Sequence, residues 1–206
     1  MVYPMKARER RDGGIMNVMQ NTTYDTRSKK VSFAHPVRNV VAFGIEHGSR
    51  VADFGAGSGA YTLALAEYLS GSGHVIAVDI QRDLLRRIKN EATRRGYKNV
   101  DIVWGDLEVP GTSKITDRHL DFVLISNLLF QVEEKSRVLE EARRVLKPRG
   151  RLAVIDWSES FKGMGPQKRE VVPKDAAREL AERAGFVFER EFSAGAHHYG
   201  LLFRVQ

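Results

Sequence analysis

The chain has 206 residues, of which 42% are hydrophobic and 29% charged, a composition typical of one globular domain with a sizeable core. It contains no cysteine, which excludes disulfides, cysteine nucleophiles and thiolate metal sites. The formal net charge of +7 suits acidic partners such as nucleic acid or phospholipid, but it is equally compatible with a plain basic surface.

Several further classes of protein are not indicated by the sequence. No apolar run approaches the length of a membrane span, and the amino terminus lacks the apolar region of a secretory signal, so we expect a cytoplasmic protein. The His, Asp and Glu residues show no metal-ligand spacing, so we expect no metal. The oligomeric state stays open, because the chain has neither internal repeats nor coiled-coil heptads.

The amino-terminal segment differs from the rest of the chain. Residues 1–32 are polar, weakly periodic and rich in Lys and Arg, which predicts an extended, partly flexible arm, and residues 33–206 are predicted to form the folded domain. The arm could cover an active site, bind an acidic substrate or be disordered. A helix is predicted from Pro36 towards Gly48, since apolar residues recur there at helical spacing.

The stretch 50–60, RVADFGAGSGA, predicts a strand, a glycine turn and the start of a helix. Gly55, Gly57 and Gly59 would let the backbone approach a ligand closely, and the helix would point its first amides at that ligand. Asp53 ends the first strand and Asp79 ends the next apolar run, where a carboxylate can bind a ribose diol. We therefore predict a ligand that contains a nucleoside.

The kind of nucleoside follows from the details of the turn. The dinucleotide fingerprint is G-x-G-x-x-G/A, whereas this chain has G-x-G-x-G-A. Asp53 would also place a negative charge close to a pyrophosphate, which is unfavourable. A ligand with an ammonium group and no phosphate suits that carboxylate better, and S-adenosylmethionine is such a ligand.

The remaining elements are predicted from apolar periodicity and turn residues. Two final strands follow each other without an intervening helix, which predicts an antiparallel hairpin. The predicted helices span residues 60–68, 83–95, 133–146 and 173–184, and the predicted strands span residues 50–54, 74–79, 100–104, 120–127, 151–157, 186–192 and 198–205.

DFGAGSG followed by VIAVDI resembles motifs I and II of the class I S-adenosylmethionine-dependent methyltransferases. The stretch SNLLFQVEEKSRVLEEARRVLKPRGRLAVIDW is similar to the ubiquinone/menaquinone biosynthesis C-methyltransferases, the methyltransferase type 11 group. The resemblance implies a three-layer α/β sandwich with strand order 3-2-1-4-5-7-6 and an antiparallel strand 7. The connection over residues 158–172 is shorter than in that group, where it forms part of a substrate lid.

The resemblance also implies roles for particular residues. Asp53 would orient the methionine ammonium, Asp79 would bind the ribose diol and Asp106 would bind the adenine amino group. The predicted cofactor-binding residues are Asp53, Gly55, Ala56, Gly57, Gly59, Asp79, Ile80, Asp106, Leu107, Ser126 and Asn127. If the acceptor must be deprotonated, the candidate general bases are Tyr24, His35, Asp156 and His198.

These observations predict an S-adenosylmethionine-dependent methyltransferase with a small-molecule acceptor. Two alternatives remain open at this point. The acceptor could be a macromolecule, either protein or RNA, or the chain could bind NAD or another nucleotide without transferring a methyl group.

Overall fold

A computed structural model describes residues 35–162 and 165–206, so the predicted arm and Tyr24 lie outside the described residues. The strands are β1 Arg50–Phe54, β2 His74–Asp79, β3 Val100–Trp104, β4 Leu120–Ser126, β5 Leu146–Trp157, β6 Phe186–Ser193 and β7 His198–Val205. The helices are α1 Pro36–Phe43, α2 Ala60–Leu69, α3 Arg82–Arg94, α4 Lys135–Val145 and α5 Lys174–Arg183.

The strands form one seven-stranded sheet in the order β3-β2-β1-β4-β5-β7-β6. The first five strands in that order are parallel, and β7 pairs antiparallel with both β5 and β6. The predicted fold is therefore confirmed. Because β1, β2 and β4 run in parallel, their carboxyl ends meet at one edge of the sheet, where open α/β sheets bind ligands.

The sheet is buried on both faces. Along β4, Val123 and Ile125 pack into the apolar cluster shared with α4 and α5, whereas Phe122 and Leu124 pack into the cluster shared with α1, α2 and α3. This arrangement explains why β4 reads as a continuous apolar run rather than an alternating one. On α4, the predicted inward stripe of Val138, Leu139, Ala142 and Val145 is fully buried.

Two boundaries differ from the prediction. Helix α1 ends at Phe43 instead of continuing towards Gly48, because Gly44 adopts a left-handed φ of 64° that ends the helix. Strand β5 begins at Leu146 rather than at residue 151. The predicted turn at residues 147–150 is an irregularity within this strand, between the pairs Leu120–Leu146 and Phe122–Arg151.

The described residues contain neither a membrane-crossing helix nor a cluster of metal ligands. Among residues 35–162 and 165–206, no helix combines the length and the apolarity needed to cross a bilayer. Within the same ranges, no group of three or more His, Asp or Glu side chains is arranged to hold a metal ion.

Candidate functional site

A groove runs along the carboxyl ends of β1, β2 and β4. It consists of two neighbouring cavities of about 370 and 220 Å³ that share Gly55, Gly57 and Gln131 as lining residues. We call the larger cavity the β4 half, since Ser126 and Asn127 line it, and the smaller one the β2 half, since Asp79 lines it. Ten of the eleven predicted cofactor-binding residues line the groove, and Gly59 does not. The β4 half is lined by Asp53, Gly55, Ala56, Gly57, Ser126 and Asn127, and the β2 half is lined by Asp79, Ile80, Asp106 and Leu107.

The three glycines of the turn serve different purposes. All three have positive φ, with values of 74° at Gly55, 52° at Gly57 and 81° at Gly59. A Cβ at Gly55 would lie 2.9 Å from Leu128, and a Cβ at Gly59 would lie 2.5 Å from Ile88, so these two positions are restricted by packing. A Cβ at Gly57 would approach only the Gly55 carbonyl, at 3.8 Å. Gly57 therefore leaves space in the groove rather than in the core.

Asp79 links the end of β2 to the glycine turn. Its Oδ2 accepts a hydrogen bond from the Gly57 amide at 2.8 Å, and its Oδ1 accepts one from the Gln81 amide at 2.8 Å. The carboxylate thus fixes the turn that separates the two halves. An ionised carboxylate has about four acceptor positions, so both oxygens can still accept from a hydroxyl pair in the groove.

Asp53 lies deeper, in the wall of the β4 half. It is only 2% exposed, and its Oδ2 accepts a hydrogen bond from Thr62 Oγ1 at 2.6 Å. Burial raises the pKa of Asp53 to about 6, although the bonds from Thr62 partly oppose this effect. A buried carboxylate without a cationic partner is costly, so this wall favours a ligand with a positive charge.

The far end of the β2 half combines a carboxylate with apolar surface. Asp106 Oδ1 accepts a hydrogen bond from the Glu108 amide at 3.0 Å, which orders the loop after β3. Leu107 is buried, whereas Ile80 is 57% exposed. Trp104 supports Ile80 from outside by donating its Nε1 proton to the Ile80 carbonyl at 2.9 Å. An exposed Ile next to a carboxylate can bind a flat ring that carries a donor group.

Comparisons with known proteins agree with this geometry. The family model described as "Methyltransferase domain" matches residues 45–189, well over half of the chain. The chain belongs to this methyltransferase family. The resemblance inferred from the glycine turn and from the stretch after β4 is thereby confirmed at the level of the family.

The relatives of this methyltransferase-family protein include quinone-pathway enzymes. It is 30% identical to a demethylmenaquinone methyltransferase of Listeria monocytogenes, over 66% of this chain and 58% of the relative. It is 31% identical to the ubiquinone/menaquinone biosynthesis C-methyltransferase UbiE of Yersinia pestis, over 74% of this chain and 62% of that protein. The chain therefore spans about three fifths of the length of these curated relatives.

A solved structure gives the same result. The crystal structure of a SAM dependent methyltransferase from Aquifex aeolicus superposes with a TM-score of 0.76 at 27% identity. The match covers 84% of this chain and 91% of that one.

The end of β4 presents polar atoms to the β4 half. Asn127 has a left-handed φ of 53°, which turns the chain sharply away from the strand. Among the described residues, neither Ser126 Oγ nor Asn127 Oδ1 has a partner of hydrogen-bond geometry, although Ser126 interacts with the Tyr61 hydroxyl and partly opposes the rise in its pKa. Gln131, which the sequence did not single out, lines both halves and donates from Nε2 to the Asn127 carbonyl at 2.5 Å.

Two further residues, Tyr61 and Asn39, were also missed from the sequence. Tyr61 lines the β4 half, and its hydroxyl accepts a hydrogen bond from Asn39 Nδ2 at 2.7 Å. Asn39 is fully buried and donates a second bond to the Ala194 carbonyl at 2.8 Å. Burial raises the pKa of Tyr61 to about 12, so its phenol stays neutral. The contact joins positions 22 residues apart, which no local pattern could reveal.

The candidate general bases lie in different environments. His35 precedes α1, and its neighbour Pro36 lines the β4 half. His198 is 8% exposed and neutral, since burial lowers its pKa. Its Nδ1 lies 3.0 Å from the Ala196 carbonyl and is therefore assigned the proton, which leaves Nε2 as an acceptor. Neither His35 nor His198 itself lines either half of the groove, so the role of general base stays a prediction for both.

Asp156 is not placed where the sequence suggested. It was expected beside the site as a possible base, but its side chain is fully buried and it does not line either half of the groove. Along β5, Asp156 alternates with Ile155, so it shares the face of Val154 and points towards the cluster of α4 and α5. Ser126, Asp53 and Tyr61 belong to the opposite face.

Proposed function

We propose that the chain binds S-adenosylmethionine in the groove and transfers its methyl group to a small-molecule acceptor. The observation that carries the proposal is the presence of a carboxylate at the carboxyl end of each of three adjacent strands. Asp53 is the fourth residue of β1 and lines the β4 half, Asp79 is the last residue of β2, and Asp106 lies two residues after β3; the latter two line the β2 half. A row of carboxylates along the groove suits a ligand with a cationic end, a diol and a ring carrying an amino group.

The described residues fit such a ligand in both halves. In the β4 half, Asp53 would hold the ammonium, and the backbone of Gly55 to Gly59 would follow the methionine chain. In the β2 half, Asp79 would accept from the ribose hydroxyls. Asp106 would accept from the adenine amino group, while Ile80 and the Leu107 amide contact the ring. Ser126 and Asn127 would border the methyl group.

The protein's contribution to the reaction is alignment. The bound cofactor supplies a methyl group on a sulfonium, which is already a good leaving centre. The chain therefore needs to orient the acceptor and exclude water, and such positioning accounts for a large part of many enzymes' rate enhancement. The side-chain oxygen of Asn127, which has no partner of hydrogen-bond geometry in the described part of the chain, is available to position a polar acceptor at the β4 half.

The small-molecule acceptor is inferred from the relatives. The two curated relatives are named for demethylmenaquinone and for ubiquinone/menaquinone biosynthesis, which supports an aromatic, quinone-like acceptor for this chain. We also propose a cytoplasmic location, which cell fractionation would test. A macromolecular acceptor would instead require binding to RNA or protein that weakens steeply as salt is raised.

Calorimetry tests the proposed cofactor. We expect micromolar binding of S-adenosylmethionine and of S-adenosylhomocysteine, and no binding of NAD. Asp79→Ala should weaken both by about 100-fold or more, roughly 2.8 kcal/mol, since it removes the diol acceptor and releases the Gly57 amide. If neither compound binds the unmodified protein, or if NAD binds instead, the proposal is wrong.

Asp121 provides a matched control for Asp79. It also accepts two hydrogen bonds, from the Arg50 amide at 2.9 Å and from Lys147 Nζ at 2.6 Å, but it begins β4 at the opposite end of the sheet. Asp121→Ala should therefore leave cofactor binding unchanged. Equal losses in the two variants would indicate a general effect on folding rather than a binding site.

A further inference from the structure

The methionine end of S-adenosylmethionine carries a carboxylate, to which none of the residues named under the proposed function is assigned. This end is a zwitterion, whose ammonium and carboxylate are attached to the same carbon atom. If Asp53 holds the ammonium, the carboxylate enters the β4 half close to a side chain of the same charge. A carboxylate in a partly buried site is costly unless hydrogen-bond donors compensate it.

The glycine turn offers few donors for that carboxylate. The amides of Gly55 and Ala56 both donate to the carbonyl of Val78 on β2, at 2.9 and 3.1 Å. The Gly59 amide donates to the Ala56 carbonyl at 2.8 Å, and the Gly57 amide donates to the carboxylate at the end of β2 at 2.8 Å. These four amides are engaged within the protein, which favours a side chain as the donor to a carboxylate in the β4 half.

Tyr61 supplies a hydroxyl in that half of the groove. It is the second residue of α2 and lines the β4 half together with Asp53. Its ring is held in the core, since Tyr61 is only 7% exposed and stacks on Phe43 with 6.5 Å between the ring centroids. The hydroxyl oxygen therefore has a fixed position, and what it can bind depends on the direction of its proton.

Asn39 determines the direction of that proton. Its Nδ2 lies 2.8 Å from the Ala194 carbonyl and 2.7 Å from the Tyr61 hydroxyl. A carbonyl oxygen can only accept, so the nitrogen and not the oxygen of the amide must face Ala194. Asn39 Oδ1 has no partner among the described residues, so the two contacts of Nδ2 alone set this orientation. The second hydrogen of Nδ2 then goes to Tyr61, whose oxygen is the acceptor.

The proton of Tyr61 is left for a ligand. A phenol that accepts from Asn39 must direct its single proton elsewhere. Ser126 opposes the rise in the pKa of Tyr61, as a donor to the phenol oxygen does. Among residues 35–162 and 165–206, no hydrogen bond takes the Tyr61 proton. Since its pKa of about 12 keeps the phenol neutral, Tyr61 presents a donor to the β4 half at neutral pH.

We propose that Tyr61 donates this proton to the carboxylate at the methionine end of the ligand, and that Asn39 is the positioning residue that directs it. The role rests on the proposed function. Asp53 and Tyr61 would together bind an α-amino acid group, the carboxylate holding the ammonium and the phenol holding the carboxylate. A neutral donor suits this place, because a cationic side chain beside Asp53 would compete with the ammonium of the ligand.

Calorimetry with two ligands tests the role of Tyr61. S-adenosylhomocysteine has the carboxylate, and decarboxylated S-adenosylhomocysteine is the same molecule without it. Tyr61→Phe should weaken binding of the first ligand about tenfold or more, because a hydrogen bond to a charged group is lost, and binding of the second by less than about twofold. The proposal is overturned if Tyr61→Phe weakens both ligands equally or weakens neither.

Tyr68 provides a matched control on the same helix. It lies two turns further along α2, and its hydroxyl donates to the Ile45 carbonyl at 3.1 Å. Tyr68 lines neither half of the groove, so Tyr68→Phe should leave the binding of both ligands unchanged. If Tyr68→Phe weakened S-adenosylhomocysteine as selectively as Tyr61→Phe, the effect would belong to α2 in general and the proposal would be wrong.

A double substitution tests Asn39 as a positioning residue. The measured quantity is the affinity for S-adenosylhomocysteine divided by the affinity for its decarboxylated form. Asn39→Ala should lower this ratio, because the Tyr61 proton is then free to rotate, but it should not lower the ratio further in the Tyr61→Phe background. A purely structural role of Asn39 would lower stability without changing the ratio, and that result overturns the positioning role.

Failure of the proposed function would look different. If neither ligand bound the unmodified protein, the groove would not be a cofactor site, and the role of Tyr61 would fall with it. If both ligands bound the unmodified protein and the ratio were the same in Tyr61→Phe, only the role of Tyr61 would be overturned.

Discussion

Both ends of the central sheet carry a cavity, and volume alone does not distinguish them. The cavity at the amino ends of β4 and β5 has about 230 Å³, close to the 220 Å³ of the β2 half of the groove. The two ends differ in how completely their polar side chains are paired by hydrogen bonds. At the amino end, Asp121 accepts from Arg50 and Lys147, and Arg151 donates to the Phe43 carbonyl at 2.8 Å.

The carboxyl end leaves polar atoms unpaired. Among the described residues, six buried side-chain atoms lack a hydrogen-bond partner, and five of them belong to residues at the ends of β4 and β5 or the start of β7: Ser126, Asn127, Asp156, His198 and Tyr199. The sixth belongs to Asn39, which is bonded to Tyr61 in the β4 half. Unpaired buried groups cost stability, so the carboxyl end of the sheet is the less fully satisfied of the two ends in the described part of the chain.

The largest expected effect is at Glu141 on α4, which contacts the loop between β3 and β4. Glu141 is 3% exposed and binds Arg144 at 2.7 Å and Ser113 at 2.5 Å, while Arg144 also binds Asp117. Burial alone would raise the pKa of Glu141, but its bonds from Arg144, Ser113 and the Gly111 amide lower it overall. Glu141→Ala should lower the free energy of unfolding by about 3 kcal/mol, because it leaves Arg144 without its buried partner.

Two control variants test whether paired and unpaired polar groups contribute differently to stability. Glu140 precedes Glu141 but forms an exposed pair with Arg137, so Glu140→Ala should cost less than about 1 kcal/mol. Ser126→Ala removes a hydroxyl that has no partner of hydrogen-bond geometry among the described residues, so it should change stability by less than about 0.5 kcal/mol. Urea unfolding measures all three. If Ser126→Ala lowered the free energy of unfolding as much as Glu141→Ala, the contrast between paired and unpaired polar groups would be wrong.

The next effect, of similar size, is a pH dependence of the free energy of unfolding that arises from Asp53. The folded state retains this proton up to a pKa of about 6, whereas the unfolded chain releases it near 3.8. The resulting stabilisation is fully present below pH 3.8 and is lost as the pH rises through 6. Since about two pKa units separate the states, it amounts to about 3 kcal/mol. Unfolding between pH 4 and pH 7 measures the change, and Asp53→Asn should reduce it.

The cofactor sharpens this prediction. An ammonium group beside Asp53 would favour the ionised form, so S-adenosylmethionine should stabilise the protein more at pH 7 than at pH 5. A ligand-induced stabilisation that is independent of pH in this range would contradict the assignment of Asp53 to the ammonium.

The smallest expected effects are those of replacing Gly57 and Gly59, which lie in the same turn but should affect cofactor binding and stability differently. Gly57→Ala should weaken cofactor binding about tenfold, because its Cβ enters the groove, and its φ of 52° should cost about 1 kcal/mol of stability. Gly59→Ala, whose Cβ would lie 2.5 Å from Ile88, should cost about 2 kcal/mol instead. Paired calorimetry and urea unfolding separate the two. Identical behaviour would mean that the turn is purely structural.

Much of this architecture is readable from the sequence, since the information is local. Alternating glycines and an aspartate at the end of an apolar run identify the turn and Asp79, and helical spacing identifies the buried face of α4. The orientation of Asp156 is not readable in this way. Because β5 is apolar on both faces, alternation shows that Asp156 and Ile155 point to opposite sides, but not which side faces the groove.

Contacts between distant segments of the chain could not be predicted from the sequence either. Tyr61 and Asn39 meet only after α1 packs against α2, and Gln131 enters the groove only because Asn127 turns the chain at a positive φ. Strand β5 begins early, at Leu146, because Leu146 pairs with Leu120. The Lys-Pro-Arg-Gly stretch that follows Leu146 predicts a turn and gives no sign of this pairing. In each case tertiary packing overrides the local pattern.

The chain also carries its own optical probes. It has two tryptophans, and they flank opposite parts of the sheet edge. Trp104 donates to the Ile80 carbonyl and lies 4.1 Å beneath the Arg82 guanidinium, while Trp157 lies 4.4 Å from the His198 ring. Replacing either indole by Phe would leave a single tryptophan, so that the tryptophan emission of the two variants could follow the cofactor end and the β5–β7 end separately, without any attached dye.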